Sequence, residues 1–436
     1  MLYRHSTDAD TALKHLLILN QFFPPDFAAT GQLLDELARQ LGRLGCQVRV
    51  FTSQPGYAFH RATAPRHEDQ ESVTIRRTRV TRMWPHRIRG KVVSGVIYCL
   101  RACLHLMRPA NRTELILLTS APPYLFFVGF LAHLLLRIPY VCLVYDLYPD
   151  VASELGVIAE RHWLARLWRW FNGQVWQGAA GLIVLSDSMK THIVNQAPSL
   201  ADKIHVIHSW ADPDYLKPLA KGDNPFAHRH HLLDPFTILY SGNMGRCHDM
   251  DTILETMVHL KGDPSIQFVF IGDGAQLDHC QNWVKTHKLT NCRFLPYQDK
   301  ETLPFSLSAC DLALVSVKPG MEGLIAPSKL YGHLATGRPI AVICPEGSYL
   351  QKMVKDGDFG RSFPNHASED LSIFIKNLQR DPDLAQAYGM QGRSYMMKHF
   401  TPDKIAQEYL NVFNICLGYS SIQRAETLAK PVQANS

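Results

Sequence analysis

The chain has 436 residues, of which 46% are apolar and 19% charged, and its formal net charge is +6. At about 150 residues per domain this predicts two or three domains, each able to bury a sizeable core. The balance excludes a wholly disordered or coiled-coil chain, and the sequence shows no low-complexity run and no repeat of 20–50 residues.

In chain order, the N-terminal stretch is polar and offers no apolar signal core. Short apolar, β-rich runs then alternate with amphipathic stretches. The runs are Leu16–Leu19, Val48–Thr52, Leu115–Thr119, Tyr140–Tyr145, Gly181–Leu185 and Ile204–Ile207, followed after a break by Thr237–Tyr240, Phe268–Ile271, Cys292–Leu295, Leu312–Val317 and Ile340–Ile343. Helical spacing marks Gly31–Leu44, Met250–Leu260 and Pro402–Leu417. Continuous apolar strands separated by helices predict parallel sheets covered on both faces, the doubly wound α/β class, with β-α-β-α alternation throughout. The apolar run from Ala121 to Leu136 is too short to span a bilayer and reads as a buried helix followed by a strand.

Residues 209–235 are rich in Asp, Pro, Lys and His and read as the connector between two similar sheets. This places one domain at 1–212, a linker at 213–232, a second domain at 233–400, and a helix with a frayed polar tail at 401–436. The ten cysteines, from Cys46 to Cys416, include no Cys-x-x-Cys pair and read as reduced core thiols. His228, His230 and His231 lie in the connector without a second ligand cluster, so no metal is expected.

Open parallel sheets bind ligands beyond the carboxyl ends of their strands, so the chemistry should follow strand ends. After the first strand, Asn20–Asp26 leads through Ala28-Ala29-Thr30-Gly31 into a helix whose free N–H groups favour an anion. After the Tyr140–Tyr145 strand comes Asp146-Leu147-Tyr148-Pro149-Asp150, where Asp146 could act as acid, base or hydroxyl binder. The second domain opens with Tyr240-Ser241-Gly242-Asn243-Met244-Gly245-Arg246, a strand and a Gly-x-x-Gly loop with a cation, which make a phosphate cradle. Gly272-Asp273-Gly274 is a second glycine turn at a strand end. Glu322-Gly323 and Pro327-Ser328-Lys329 then run from a strand into a helix, stacking a Ser cap and an ammonium against one anion.

Together these segments resemble the retaining glycosyltransferases of the GT-B fold in the large glycogen-synthase-like family (family 4). More narrowly, they resemble the bacterial enzymes that build colanic-acid-type and O-antigen polysaccharides. Leu334-Ala335-Thr336-Gly337-Arg338-Pro339 completes the set, which spans nearly the whole chain in the family's order. The resemblance implies that the second domain binds a nucleotide-sugar, with a UDP-sugar favoured over a GDP-sugar. Gly272, Gly274, Pro296 and Tyr297 would lie near the base. Ser241, Gly242, Asn243, Gly245, Gly323 and Ser328 would border the donor, and Lys329 and Arg246 would neutralise the diphosphate without a metal or other cofactor. Glu322 would stand as the family's first Glu. The first domain would take the acceptor, with Thr30 and Gly31 near the donor phosphates and Asp146 handling the acceptor hydroxyl. The chain departs from the family at Gly332, where a ribose-gripping Glu usually stands. It departs again at Asn243 and His248, which replace phosphate-loop cations, and at Tyr145-Asp146, which replaces a His.

Between Ser72 and Thr113 there are ten Lys or Arg and no acidic residue. Within it Gly90–Arg108 reads as a basic amphipathic helix, and Trp163, Trp168, Trp170 and Trp176 lie among Arg161, Arg166 and Arg169. This basic, aromatic-rimmed surface suits an anionic bilayer and no nucleic-acid module accompanies it. The expected localisation is cytoplasmic, peripheral on the inner face of the plasma membrane, with a lipid-diphosphate-linked sugar as acceptor. Two alternatives stay open: a nucleotide-sugar 2-epimerase, and a degenerate transferase serving as a scaffold.

Overall fold

A computed structural model describes residues 12–26, 29–55, 64–79 and 88–419. The polar N-terminal residues 1–11, Ala28 of the first strand-end loop, residues 80–87 of the basic stretch and most of the polar tail lie outside the described residues.

The chain forms two α/β units. The first sheet has eight strands in the order β3-β4-β2-β1-β5-β6-β7-β8. They are β1 (His15–Leu19), β2 (Gln47–Ser53), β3 (His67–Gln70), β4 (Val73–Thr78), β5 (Leu115–Thr119), β6 (Tyr140–Val144), β7 (Gly181–Val184) and β8 (Ile204–Val206). The second sheet has six in the order β11-β10-β9-β12-β13-β14. These are β9 (Phe236–Ser241), β10 (Ile266–Ile271), β11 (Cys292–Leu295), β12 (Leu312–Ser316), β13 (Ile340–Ile343) and β14 (Gly360–Phe363). Every residue of β5, β6 and β12 is buried, because helices cover both faces of the sheets.

The doubly wound class is as expected, but the alternation is not unbroken. β3 and β4 form an antiparallel hairpin with no helix between them. The sequence reading missed both, and β14 as well. β3 is His-Glu-Asp-Gln, an edge strand with no apolar signature, and polar edges are how sheets avoid pairing with other chains.

Helix Pro402–Cys416 returns to the first unit. The Leu13 N–H donates to Asn414 Oδ1 (3.0 Å), and the fully buried Tyr409 meets Trp210 edge-on with ring centroids 6.3 Å apart. At Gly181 a Cβ would fall 2.6 Å from Cys416 Sγ, so only glycine lets the last turn of this helix close on β7. Phe413, also fully buried, anchors the same contact, and its truncation to Ala would cost about 3–5 kcal/mol. The chain thus crosses between the units twice, and the carboxyl ends of the two sheets approach each other.

Candidate active site

Two glycine turns build a shelf at the edge of the second sheet. β9 ends at Ser241, and the chain turns at Gly242 with φ +124°. β10 ends at Ile271 and turns at Gly272 (φ +137°) and Gly274 (φ +149°). These conformations disfavour any residue with a Cβ. Space forbids one as well: a Cβ at Gly272 would lie 2.1 Å from Gly242 O, and one at Gly274 2.5 Å from Met244 O. The turns are laced by backbone bonds. The Gly242 N–H donates to Ile271 O (2.8 Å) and the Met244 N–H to Asp273 O (2.8 Å). Gln276 Nε2 donates to Gly245 O (2.6 Å) and His248 O (2.9 Å). The Asn243 amide is packed against Gly245 and Gly274. Exposed Tyr297 borders the shelf, its ring 3.4 Å from where a Gly272 Cβ would sit, and Pro296 is exposed beside it.

Lys329 closes the shelf from the opposite side. Its Nζ donates to Tyr240 Oη (2.6 Å) and Asn243 O (3.4 Å), and lies 3.9 Å from the centre of the Tyr240 ring. Desolvation lowers the ammonium to about 7. A cation held in this way, with no carboxylate partner among the described residues, is poised for an incoming anion. His248 supplies no second charge. Its Nδ1–H donates to Ser316 O (2.8 Å), and burial, with Lys329 adding to it, drops the ring to about 3. Arg246 is exposed and forms no ion pair among the described residues, so it is free to swing onto a ligand.

The first unit presents Asp146 across the gap. Its backbone forms an antiparallel bridge with Ile325, and the Leu147 N–H donates to Leu324 O (3.0 Å). The Tyr145 and Asp146 N–H groups both donate to Ser120 Oγ (3.1 and 3.3 Å). Burial raises the Asp146 carboxyl to about 6; burial, with the Asp146 charge adding to it, raises the thiol of Cys247 in the loop opposite. The loop between β12 and the Lys329 helix is seated on the first unit: a Cβ at Gly320 would strike the Glu154 carboxylate (1.9 Å), and one at Gly323 would meet Ser188 O (3.0 Å). Gly31 allows helix Ala29–Arg43 to lie against the strand-end loop, since a Cβ there would fall 2.8 Å from Phe22 O. Thr30 is half-buried beside it.

Comparison with known proteins agrees with this geometry. A model described as "Glycosyl transferase 4-like domain" matches residues 30–210, and one described as "Glycosyl transferases group 1" matches residues 224–395. Each unit thus matches a glycosyltransferase model, and the chain is a glycosyltransferase. It is 26% identical over 322 residues to WbjE of Pseudomonas aeruginosa, named as a glycosyltransferase, covering 72% of this chain and 78% of that one. It is 28% identical over 178 residues to WcaI of Escherichia coli K12, covering 40% of this chain and 42% of that one, whose name assigns it to colanic acid biosynthesis. Its fold matches Anabaena HepE, solved with UDP and glucose, with a TM-score of 0.69 at 16% identity over 92% of this chain and all of that one.

Within this glycosyltransferase one expectation needs correcting. Ser328 occupies the N-cap position of helix Lys329–Ala335, but its hydroxyl makes no capping bond and its backbone is already helical. Glu322 is engaged at the domain junction: Oε1 accepts from the Tyr349 N–H (3.3 Å), and Oε2 is buried without a partner of hydrogen-bond geometry. Burial raises this carboxyl, with Ser188 and Tyr349 opposing the rise. Gly332 faces apolar side chains, since a Cβ there would point at Leu307 (3.3 Å) and Leu216 (3.6 Å).

Three features escaped the sequence reading. Tyr240, a strand residue that reads as core, holds Lys329. His333, one turn beyond Lys329, is fully buried with neither ring nitrogen bonded, and burial keeps it neutral at about 3. Asp150 ties the cleft segment down. It accepts from Arg169 Nε (2.7 Å), His192 Nε2 (3.0 Å) and Gln196 Nε2 (3.0 Å), which together outweigh burial and hold its carboxyl at about 2.

Proposed function

We propose that this enzyme transfers a sugar, with retention of configuration, from a UDP-sugar to a lipid-diphosphate-linked acceptor at the inner face of the plasma membrane, in extracellular polysaccharide synthesis. The observation that carries the reading is the Lys329 ammonium, held by Tyr240 above two interlocked glycine turns and without an acidic partner among the described residues. The names of WbjE and WcaI and the UDP in HepE support the substrate class.

In the reaction the anomeric C–O bond to the diphosphate breaks and the acceptor oxygen bonds to the anomeric carbon. The departing UDP gains negative charge, which Lys329, the Gly242–Gly245 loop and a recruited Arg246 offset; such preorganised donors act most strongly where water is excluded. The acceptor hydroxyl proton passes to Asp146, which is largely ionised at neutral pH because its carboxyl titrates at about 6. Glu322 and Gly323 position the junction loop, and Thr30 and Gly31 hold the acceptor domain against the donor.

Release of the nucleoside diphosphate from a panel of UDP-, GDP-, dTDP- and ADP-sugars tests the reading. Turnover with a UDP-sugar, lost in Lys329→Ala, is expected. Equal turnover in the variant would overturn it. Release of a free epimerised sugar would favour the 2-epimerase, and no turnover or binding with any donor would favour the scaffold.

A further inference from the structure

Three helices lie side by side on the face of the first sheet opposite helices Ala29–Arg43 and Pro402–Cys416. They are Ile88–Leu106, Phe126–Leu136 and Trp163–Gly178. The first two meet where Gly95 admits the Tyr124 hydroxyl, which donates to Val92 O (2.6 Å). The last two meet through Phe127 and Phe171, edge-on at 6.1 Å.

Each of these helices should bury its apolar side chains, and each leaves large ones exposed. In Ile88–Leu106, Tyr98, Ala102 and Leu106 form the buried stripe, while Val92, Val96, Leu100 and Leu104 form a second apolar stripe, with the leucines 60% and 62% exposed. A helix that is apolar all round is one that is covered on every side. The basic amphipathic helix expected from the sequence therefore shows solvent an apolar stripe. The segment expected to be buried at Phe126–Leu136 leaves Leu134 and Leu135 65% and 72% exposed. In Trp163–Gly178, Trp163, Leu167, Trp170 and Phe171 face out. Trp168 instead stacks on Tyr148 of the cleft segment at 6.0 Å, and Trp176 is buried.

The charge carried by the three helices themselves is of one sign. None of the three helices contains Asp or Glu. Arg108, Arg137, Arg161 and Arg166 are exposed at their ends and flanks. An apolar face flanked by exposed arginines matches the interior and headgroups of an anionic bilayer. The patch also connects to the chemistry: helix Trp163–Gly178 gives Trp168 and Arg169 to the Tyr148–Asp150 segment and its exposed aromatics to the outside.

We infer that this three-helix face inserts into the surface of an anionic phospholipid bilayer, holding the Asp146 side of the cleft at headgroup level. The inference deepens the reading of a lipid-linked acceptor and rests on it. No helix among the described residues is long and apolar enough to cross the membrane, so the attachment is by insertion of side chains.

The experiment is co-sedimentation of the full chain with vesicles of phosphatidylglycerol and phosphatidylethanolamine, against vesicles of phosphatidylcholine. Light scattering and donor hydrolysis without vesicles run in parallel. The wild type should partition onto the anionic vesicles and release with salt. Leu100→Glu/Leu104→Glu, and independently Leu134→Asn/Leu135→Asn on the neighbouring helix, should reduce the partition constant at least about tenfold. Vesicle-free donor hydrolysis should not change. Failure of the wild type to bind, or equal binding of both variants, overturns the docking face while intact hydrolysis leaves the transferase reading standing. A wild-type dimer that either variant breaks, with no vesicle binding, overturns it in favour of a second copy of the chain.

Discussion

The two halves of the molecule solve their surfaces in opposite ways. The donor side of the second unit is closed on itself: two strand-end turns are laced by backbone hydrogen bonds, glycine is the only residue that fits between them, and one lysine is left with an aromatic partner where a carboxylate could stand. The outer face of the first unit is open, with three helices whose outward apolar side chains nothing among the described residues covers. Polar groups are scarce and precisely placed in the first region, and apolar groups are abundant and unpartnered in the second. On the proposed reading, the contrast assigns donor specificity to the shelf and attachment to the apolar face.

The largest effect should come from removing the single cation of the shelf. Lys329→Ala should lower transfer by about 100- to 1000-fold in kcat, the range for losing one preorganised charge stabiliser. Steady-state kinetics with near wild-type melting would confirm that the loss is chemical. A smaller loss is expected across the cleft. Asp146→Asn should reduce kcat by about 100-fold and remove the acid limb of the pH profile. In the wild type that limb should bring the rate down as pH falls through about 6, because the carboxyl must be ionised to take a proton. A wild-type profile flat through this range would remove Asp146 from proton handling.

The next effect is on the fold of the shelf. Gly272→Ala would force a Cβ to within 2.1 Å of Gly242 O at a φ of +137° and should cost on the order of 1–3 kcal/mol, together with donor binding. The exposed Gly347→Ala provides the control, with a positive φ of 73° and nothing within 4 Å, and should cost stability alone. The smallest effect is at Gly332→Ala. The new methyl would touch the flexible ends of Leu307 and Leu216, and ordering a helical glycine should raise stability by about 0.5–1 kcal/mol, measurable by denaturant unfolding.

Much of this comparison is visible in the sequence, and unevenly so. The buried strands announce themselves as continuous apolar runs, and the glycine turns follow them directly. The β3–β4 hairpin does not, because β3 is a polar edge strand and β4 offers only Val73 and Ile75 in alternation before two arginines. Tyr240 cannot be distinguished from a core tyrosine until the fold brings Lys329, 89 positions later, over its ring. The Asp150 cluster is hidden for the same reason, since Arg169, His192 and Gln196 come from other helices. Nor does spacing alone reveal the open face. The helix at 88–106 carries apolar residues on both sides, and only the packing shows which stripe the sheet has taken.

Calorimetric titration of UDP against the wild type and Lys329→Ala between pH 6 and 9 tests the central claim most directly. In the free protein the Lys329 ammonium titrates at about 7, and a bound diphosphate would raise it. UDP binding should therefore take up a proton above pH 7, and affinity should fall with rising pH by up to about tenfold per unit. The variant should bind at least about tenfold more weakly at pH 6 and lose that pH dependence. Equal UDP affinity in both proteins, unchanged from pH 6 to 9, would contradict the assignment of the shelf as the donor site.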